Sequence, residues 1–283
     1  MYKHLPLMLI LLPAGLAWAQ AQPCPTPVAY GENAAAGHTA KVNGIAMYYE
    51  TYGSGPPLLL IHGNGGSIAS MRCQIPFFAA SYTVIAADSR SHGKTEDGTG
   101  RLTYEQMADD LAGLLDTMHV KSVDVIGHSD GGILALLLAM RHPEKVKALV
   151  ASSPNLRPDP TALYPWVLAD IKKARDEAET KMAQGDHSRD WARVKRWNEL
   201  MLNEPHIPLT DLRRIRVPVL ITGADEDMIP PEHLLEIYRN IPKAQLFIAP
   251  GTTHFMLREQ YALYNEIAER FLKQPFHRPT SKK

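Results

Sequence analysis

Residues 123–132, Val-Asp-Val-Ile-Gly-His-Ser-Asp-Gly-Gly, constrain this chain more than any other stretch. A short β-branched run leads into Gly-x-Ser-x-Gly, and residues 133–140 continue unbroken as Ile, Leu, Ala and Met. Val and Ile favour a buried strand, whereas Leu, Ala and Met favour a helix. Ser129 therefore falls on a sharp strand-to-helix turn. Gly127 and Gly131 flank it where any side chain would collide with the neighbouring strand or helix. Such a turn lifts a hydroxyl out of the sheet. The helix behind it offers free N–H groups and a partial positive charge, suited to a developing oxyanion.

Strand and helix sequences alternate around this turn. Residues 42–52 alternate apolar and polar about Asn43-Gly44, a strong hairpin signal, so two antiparallel strands open the domain. Residues 58–61 are wholly apolar, as expected of a central parallel strand. They end in the glycine-rich turn His62-Gly63-Asn64-Gly65-Gly66, ahead of helical sequence over 68–80. A strand over 83–87 follows. Thr103 then caps a helix, with Gln106 three residues on and Met107, Leu111, Leu114, Leu115 and Met118 along its buried face. A strand spans 146–152, and strands resume at 217–222 and 244–248 before a last amphipathic helix over 260–272. Between 155 and 212 the pattern is helical only, over 161–182 and 189–202.

The implied fold is α/β, a mostly parallel central sheet with helices on both faces and a helical lid over the C-terminal edge of the sheet. The segments read as an exported leader (1–21), an extended arm (22–40), a first core part (41–156), the lid (157–212), a second core part (213–274) and a tail (275–283). Among the lid tryptophans Trp166, Trp191 and Trp197, Trp166 is the candidate substrate-binding residue, and two of the three are expected to pack within the lid.

Composition narrows the partners. Thirty basic and thirty acidic residues balance to zero, so no nucleic-acid or anionic-membrane surface is expected. Near the start, Lys3 and His4 precede an apolar run over 5–18, and the chain fits small-x-small cleavage after Ala19 or Ala21. That is the pattern of a secretory signal peptide, too short to span a membrane, and it implies a periplasmic or secreted protein with no stable membrane insertion after cleavage. Cys24 and Cys73, the only two cysteines, would then meet an oxidising compartment; one disulfide and two free thiols are both open. Neither has the spacing of a metal site, and no metal or cofactor is expected. Nothing in the sequence addresses the oligomeric state.

A serine nucleophile requires a base, an orienting acid and an oxyanion site. His254, in Pro250-Gly251-Thr252-Thr253-His254, leaves the end of the last strand and is the candidate base. Asp225 and Asp227 both follow the preceding strand closely, and spacing to the downstream proline and glutamate favours Asp227. The oxyanion donors are the backbone N–H groups of Asp130 and Asn64. His62 is expected to make a structural hydrogen bond and His128 to pack.

From about residue 41 to 272 the chain resembles the α/β-hydrolase superfamily. The matching pieces are His62-Gly63-Asn64-Gly65, Asp88-Ser89-Arg90-Ser91-His92-Gly93, Gly127-His128-Ser129-Asp130-Gly131-Gly132, residues 223–231 and residues 250–254. Ser91 stands where relatives commonly carry glycine. The resemblance implies a cofactor-free serine hydrolase that cleaves a small-molecule carboxylic ester through an acyl-enzyme. Relatives that cleave epoxides or carbon–halogen bonds place aspartate at the elbow, which disfavours those activities here. Amide, iminopeptide or lactone cleavage, a perhydrolase or haloperoxidase activity, and a non-enzymatic receptor are the alternatives.

Overall fold

The computed structural model describes residue 24, residues 26–274 and residues 276–277; the expected leader over 1–21 and most of the tail lie outside them. Eight strands run in the order β1 (Gly37–Val42), β2 (Ile45–Tyr52), β3 (Pro57–Ile61), β4 (Thr83–Ala87), β5 (Val123–His128), β6 (Val146–Ser152), β7 (Val219–Glu226) and β8 (Ala244–Thr253). The helices are α1 (Ile75–Phe78), α2 (Tyr104–Thr117), α3 (Asp130–Arg141), α4 (Pro165–Ala183), α5 (Trp191–Asn203), α6 (Leu209–Leu212), α7 (Pro231–Asn240), α8 (Met256–Glu259) and α9 (Tyr261–Lys273). No helix of the described residues is long and apolar enough to cross a membrane.

The strands lie side by side as β1-β2-β4-β3-β5-β6-β7-β8. The hairpin β1–β2 turns on Asn43-Gly44 and joins β4 antiparallel, while β4, β3 and β5 to β8 are mutually parallel. After β3 the chain moves to one side of the sheet, and after β5 to the other. That reversal opens a crevice at the carboxyl ends of β3 and β5, where open parallel sheets place their sites. Side-chain alternation explains the two layers. Leu59 and Ile61 face one buried cluster with α2 and α3, whereas Leu58 and Leu60 face a second cluster with Phe78, Tyr264 and Phe271.

Three local outcomes differ from the sequence reading. The helix expected over 68–80 is broken into a 3-10 turn (Ile68–Met71) and the single turn α1, because Gln74 is drawn into the core. There its side-chain amide donates to Leu257 O at 2.7 Å and to Asn265 Oδ1 at 3.0 Å. β7 and β8 run beyond the expected ends, to Glu226 and Thr253, and so carry their strand ends up to the candidate acid and base. The unexpected helix α7 starts at Pro230-Pro231, whose fixed φ suits a first turn.

The N-terminal arm is fastened in two places. Cys24 and Cys73 form a disulfide. Glu50 on β2 is fully buried and accepts four hydrogen bonds, from the Gly31 and Asn33 N–H groups and from the Tyr48 and Tyr52 hydroxyls, at 2.7–3.0 Å. Removing that acceptor leaves several buried donors unpaired, a loss of about 1–3 kcal/mol for each one that finds no water. Glu50→Ala is therefore expected to lose roughly 2–4 kcal/mol in urea unfolding. Limited proteolysis of the variant should cut first within residues 26–36.

Candidate active site

Ser129 lies between the last residue of β5 and the first of α3, at φ 57° and ψ −121°. A non-glycine residue there is strained, at a cost of about 1–3 kcal/mol, and persists only where its surroundings enforce it. Three backbone bonds do so. Ser129 N–H donates to Ser152 O at 2.8 Å, and Ser129 O accepts from Gly132 and Ile133 N–H at 2.7 and 3.1 Å. The flanking glycines are required by contact: a Cβ on Gly127 would stand 2.0 Å from Gly131 O, and one on Gly131 only 2.3 Å from Ile61 O.

His254 follows β8 directly and Asp227 follows β7. The Nδ1–H of His254 donates to Asp227 Oδ1 at 2.6 Å. That leaves Nε2 unprotonated, the tautomer a general base needs. Asp227 is buried and accepts four further hydrogen bonds: from Met228 and Ile229 N–H on Oδ1, and from Ser153 Oγ–H (2.5 Å) and Ala224 N–H on Oδ2. Burial alone would push its carboxyl up, but the bonds from His254, Ser153 and the backbone hold it below the ordinary aspartate value. Ser153 sits just past β6 at φ 51° and was invisible to sequence reading, because nothing local marks it. Asp225 is exposed and does not reach His254. It accepts from Gly251 and Thr252 N–H at 2.9 and 3.3 Å and so braces the loop that carries the histidine.

The two expected oxyanion donors occupy suitable backbone. Asp130 opens α3, so its N–H has no intrahelical acceptor. Asn64 lies in a turn closed by Gly66 N–H donating to Gly63 O at 3.1 Å. The two segments are tied together by side chains, since Asn64 Nδ2 donates to Asp130 Oδ2 at 2.8 Å. The Tyr104 hydroxyl is the second donor to Asp130, and burial still pushes that carboxyl up to about 6.

Neighbouring histidines are structural. His62 donates from Nδ1 to Gly63 O and accepts at Nε2 from Ser89 N–H, which fixes the Asn64 turn. His128 does more than pack: its Nε2–H donates to the His254 carbonyl at 2.8 Å, and burial lowers its pKa to about 3. Among the described residues no group of three His, Cys, Asp or Glu is placed to hold a metal ion.

Ser129, Asp130 and His254 open into one cavity of about 290 Å³, roofed by Trp166, Val167, Asp170 and Ile171 of α4. Trp166 thus lines the site, 53% exposed. Trp197 does not; it stacks on His92 at 4.9 Å and donates to Ser91 O at 2.8 Å. A larger hollow of about 620 Å³, against β8 and α9, contains none of the candidate residues.

A family model described as the alpha/beta hydrolase fold matches residues 56–175. The chain belongs to the α/β-hydrolase superfamily. A protein named as a carbamate hydrolase in Azorhizobium caulinodans is 28% identical over 250 residues, 78% of this chain and 92% of the relative. A 2-hydroxy-6-oxo-2,4-heptadienoate hydrolase of Pseudomonas putida is 28% identical over 272 residues, 85% of this chain and 97% of the relative. Among solved structures, the enol-lactonase of Burkholderia xenovorans LB400 superposes with a TM-score of 0.70 at 21% identity, covering 84% of this chain and all of that one. At this level the chain is a hydrolase.

The buried Asp130 of this hydrolase gives stability a pH dependence. A carboxyl whose folded pKa lies above its unfolded value holds its proton more tightly when folded. Its contribution therefore favours folding near pH 4 and is lost as the pH rises from about 4 to 6, leaving a constant penalty of up to about 3 kcal/mol above that. Asp130→Asn should gain roughly that much on the wild type between pH 4 and pH 8 in urea unfolding. A difference that stays flat with pH contradicts the burial account.

Proposed function

We propose that the protein is a serine hydrolase that cleaves carboxylic esters of small or medium size through an acyl-enzyme. The observation that carries this reading is the opening of Ser129 and of the Asp227-paired His254 into one cavity. Ser129 Oγ attacks the ester carbonyl as His254 Nε2 takes its proton. The Asn64 and Asp130 N–H groups receive the oxyanion, each contributing about 3 kcal/mol to transition-state stabilisation. His254, now protonated, gives its proton to the leaving alcohol, whose bond to the acyl carbon breaks. It then activates water, which adds to the acyl-enzyme and releases the acid with Ser129 restored. Asp227 keeps the histidine in the productive tautomer and stabilises the imidazolium.

The relative named for carbamates favours a second reading, since a carbamate carbonyl is open to the same attack. Export is part of the proposal, supported by the Cys24–Cys73 disulfide and the apolar run near the start of the sequence. Fractionation should recover the protein outside the cytoplasm, with Gln20 or Gln22 as its first residue.

Turnover of p-nitrophenyl acetate, butyrate and octanoate tests the chemistry. We expect measurable hydrolysis that saturates with substrate. In Ser129→Ala or His254→Ala, kcat should fall by about 10⁴-fold or more. Asp227→Asn should fall by about 10⁴-fold because the amide fixes the wrong tautomer. Ser129→Ala with wild-type activity would falsify the serine mechanism. A carbamate preference would show as higher kcat/KM on p-nitrophenyl N-alkylcarbamates than on the matched esters.

A further inference from the structure

Asn64, whose backbone N–H is a candidate oxyanion donor, has a side chain that reaches two other elements. Its amide nitrogen carries two hydrogens. That nitrogen donates to Asp130 Oδ2 on α3 at 2.8 Å and to the Trp197 carbonyl on α5 at 3.4 Å. The turn that carries Asn64 is thus tied on one side to the helix behind Ser129 and on the other to the lid.

The Trp197 side chain reinforces the second tie. Its six-membered ring covers Gly65, where an added Cβ would meet Cε3 at 3.7 Å. Its Nε1–H donates to Ser91 O at 2.8 Å, and the indole stacks on His92 at 4.9 Å with the planes 17° apart. His92 in turn packs on His62 at 5.2 Å, the histidine whose Nδ1–H holds Gly63 O. One half-buried residue therefore touches the turn at Asn64 and Gly65 and, through His92, supports it at His62. Its helix is fastened to the loop after β4, since Arg193 donates to Gly93 O at 3.2 Å and Arg196 to Gly100 O at 3.0 Å. Trp197 is not among the residues that line the cavity, so these contacts do not serve to wall it.

We propose that Trp197 is a positioning residue for the oxyanion turn, through which the lid helix α5 sets where the Asn64 N–H points. The inference rests on the esterase reading above and adds a lid residue that acts on rate rather than on substrate fit. The oxyanion forms in both acylation and deacylation, so a displaced donor slows both steps together and leaves KM nearly unchanged. A residue of the cavity wall would instead change KM and the preference among acyl chain lengths. Losing an oxyanion donor outright costs about 10²–10³-fold in kcat, and a donor displaced but still present costs less.

The test is the steady-state kinetics of Trp197→Phe and Trp197→Ala on p-nitrophenyl acetate, butyrate and octanoate. Beside it, mass spectrometry follows the rate at which an alkyl fluorophosphonate modifies Ser129. In that modification Ser129 Oγ displaces fluoride from phosphorus, and the phosphoryl oxygen occupies the oxyanion site. We expect Trp197→Ala to lower kcat by about tenfold or more on all three esters, with KM within about twofold and the fluorophosphonate rate lowered to match. Trp197→Phe keeps a ring over Gly65 but loses the bond to Ser91, and should lower both rates by about threefold. A KM rise with kcat unchanged, an altered chain-length preference, a kcat loss that the fluorophosphonate rate does not share, or wild-type rates in the folded variants overturns the proposal. If Trp197→Ala does not fold, Trp197→Phe decides by the same criteria. If the folded wild type cleaves no ester, the esterase reading fails instead, and the fluorophosphonate rates decide the positioning role. Slower labelling of the variants upholds it; equal labelling, or none in the wild type, overturns it.

Discussion

The tight approach of α3 to the carboxyl ends of β3 and β5 is the constraint on which the site depends. Eleven of the twelve residues of α3 are buried, so the helix has no freedom to withdraw from the sheet. Gly131 in its first turn stands against the Ile61 carbonyl, and the Gly131 carbonyl against Gly127 of β5, at distances that only glycine permits. The chain can enter this helix from β5 only through a residue at positive φ, and that residue is Ser129. The strain is held by backbone bonds to Ser152, Gly132 and Ile133, none of which involves the serine side chain. The hydroxyl is left free for chemistry because the backbone does all the holding.

The remaining groups arrive by the same logic. Five parallel strands end side by side: β3 before the Asn64 turn, β5 before Ser129, β6 before Ser153, β7 before Asp227 and β8 before His254. Strand spacing of about 4.8 Å brings these ends within side-chain reach of one another. Fine placement comes from side-chain ties across the ends. Asn64 to Asp130 joins the two candidate oxyanion segments, Ser153 to Asp227 steadies the candidate acid, and His128 to the His254 carbonyl steadies the candidate base. An acidic residue in the first turn of a helix is also favoured by the partial positive charge there. Asp130 thus gains from the helix part of what burial costs it.

What could be read in advance follows the range of each interaction. The elbow and the parallel strands were legible because their signals are local: β-branched runs, glycines at fixed offsets, and Asn43-Gly44. Spacing favoured Asp227 over Asp225 without separating them, and the geometry gives each a distinct partner, His254 for one and the Gly251–Thr252 backbone for the other. Ser153, Tyr104 and the tie from His128 were not legible, because their partners lie far off in the chain and no local pattern encodes them. The break in the helix expected over 68–80 has the same origin. Gln74 looks like a surface helix residue until Leu257 and Asn265, more than 180 residues later, draw it inward.

The lid is built on different terms from the core. Only three of the nineteen residues of α4 are buried, against eleven of twelve in α3. A helix held by so narrow a stripe tolerates change on its open faces at little cost in stability. The cavity joins the two regimes. Its candidate reacting groups come from strand ends whose positions are fixed by the sheet, while Trp166, Asp170 and Asn198 come from the lid. A substitution among these lid residues can therefore reshape the cavity without moving Ser129, His254 or the backbone of Asn64 and Asp130. Asp130 is the exception, because it serves both regimes at once. It opens α3 directly after Ser129 and also lines the cavity beneath the lid, so a change there touches both the strand-end groups and the pocket wall.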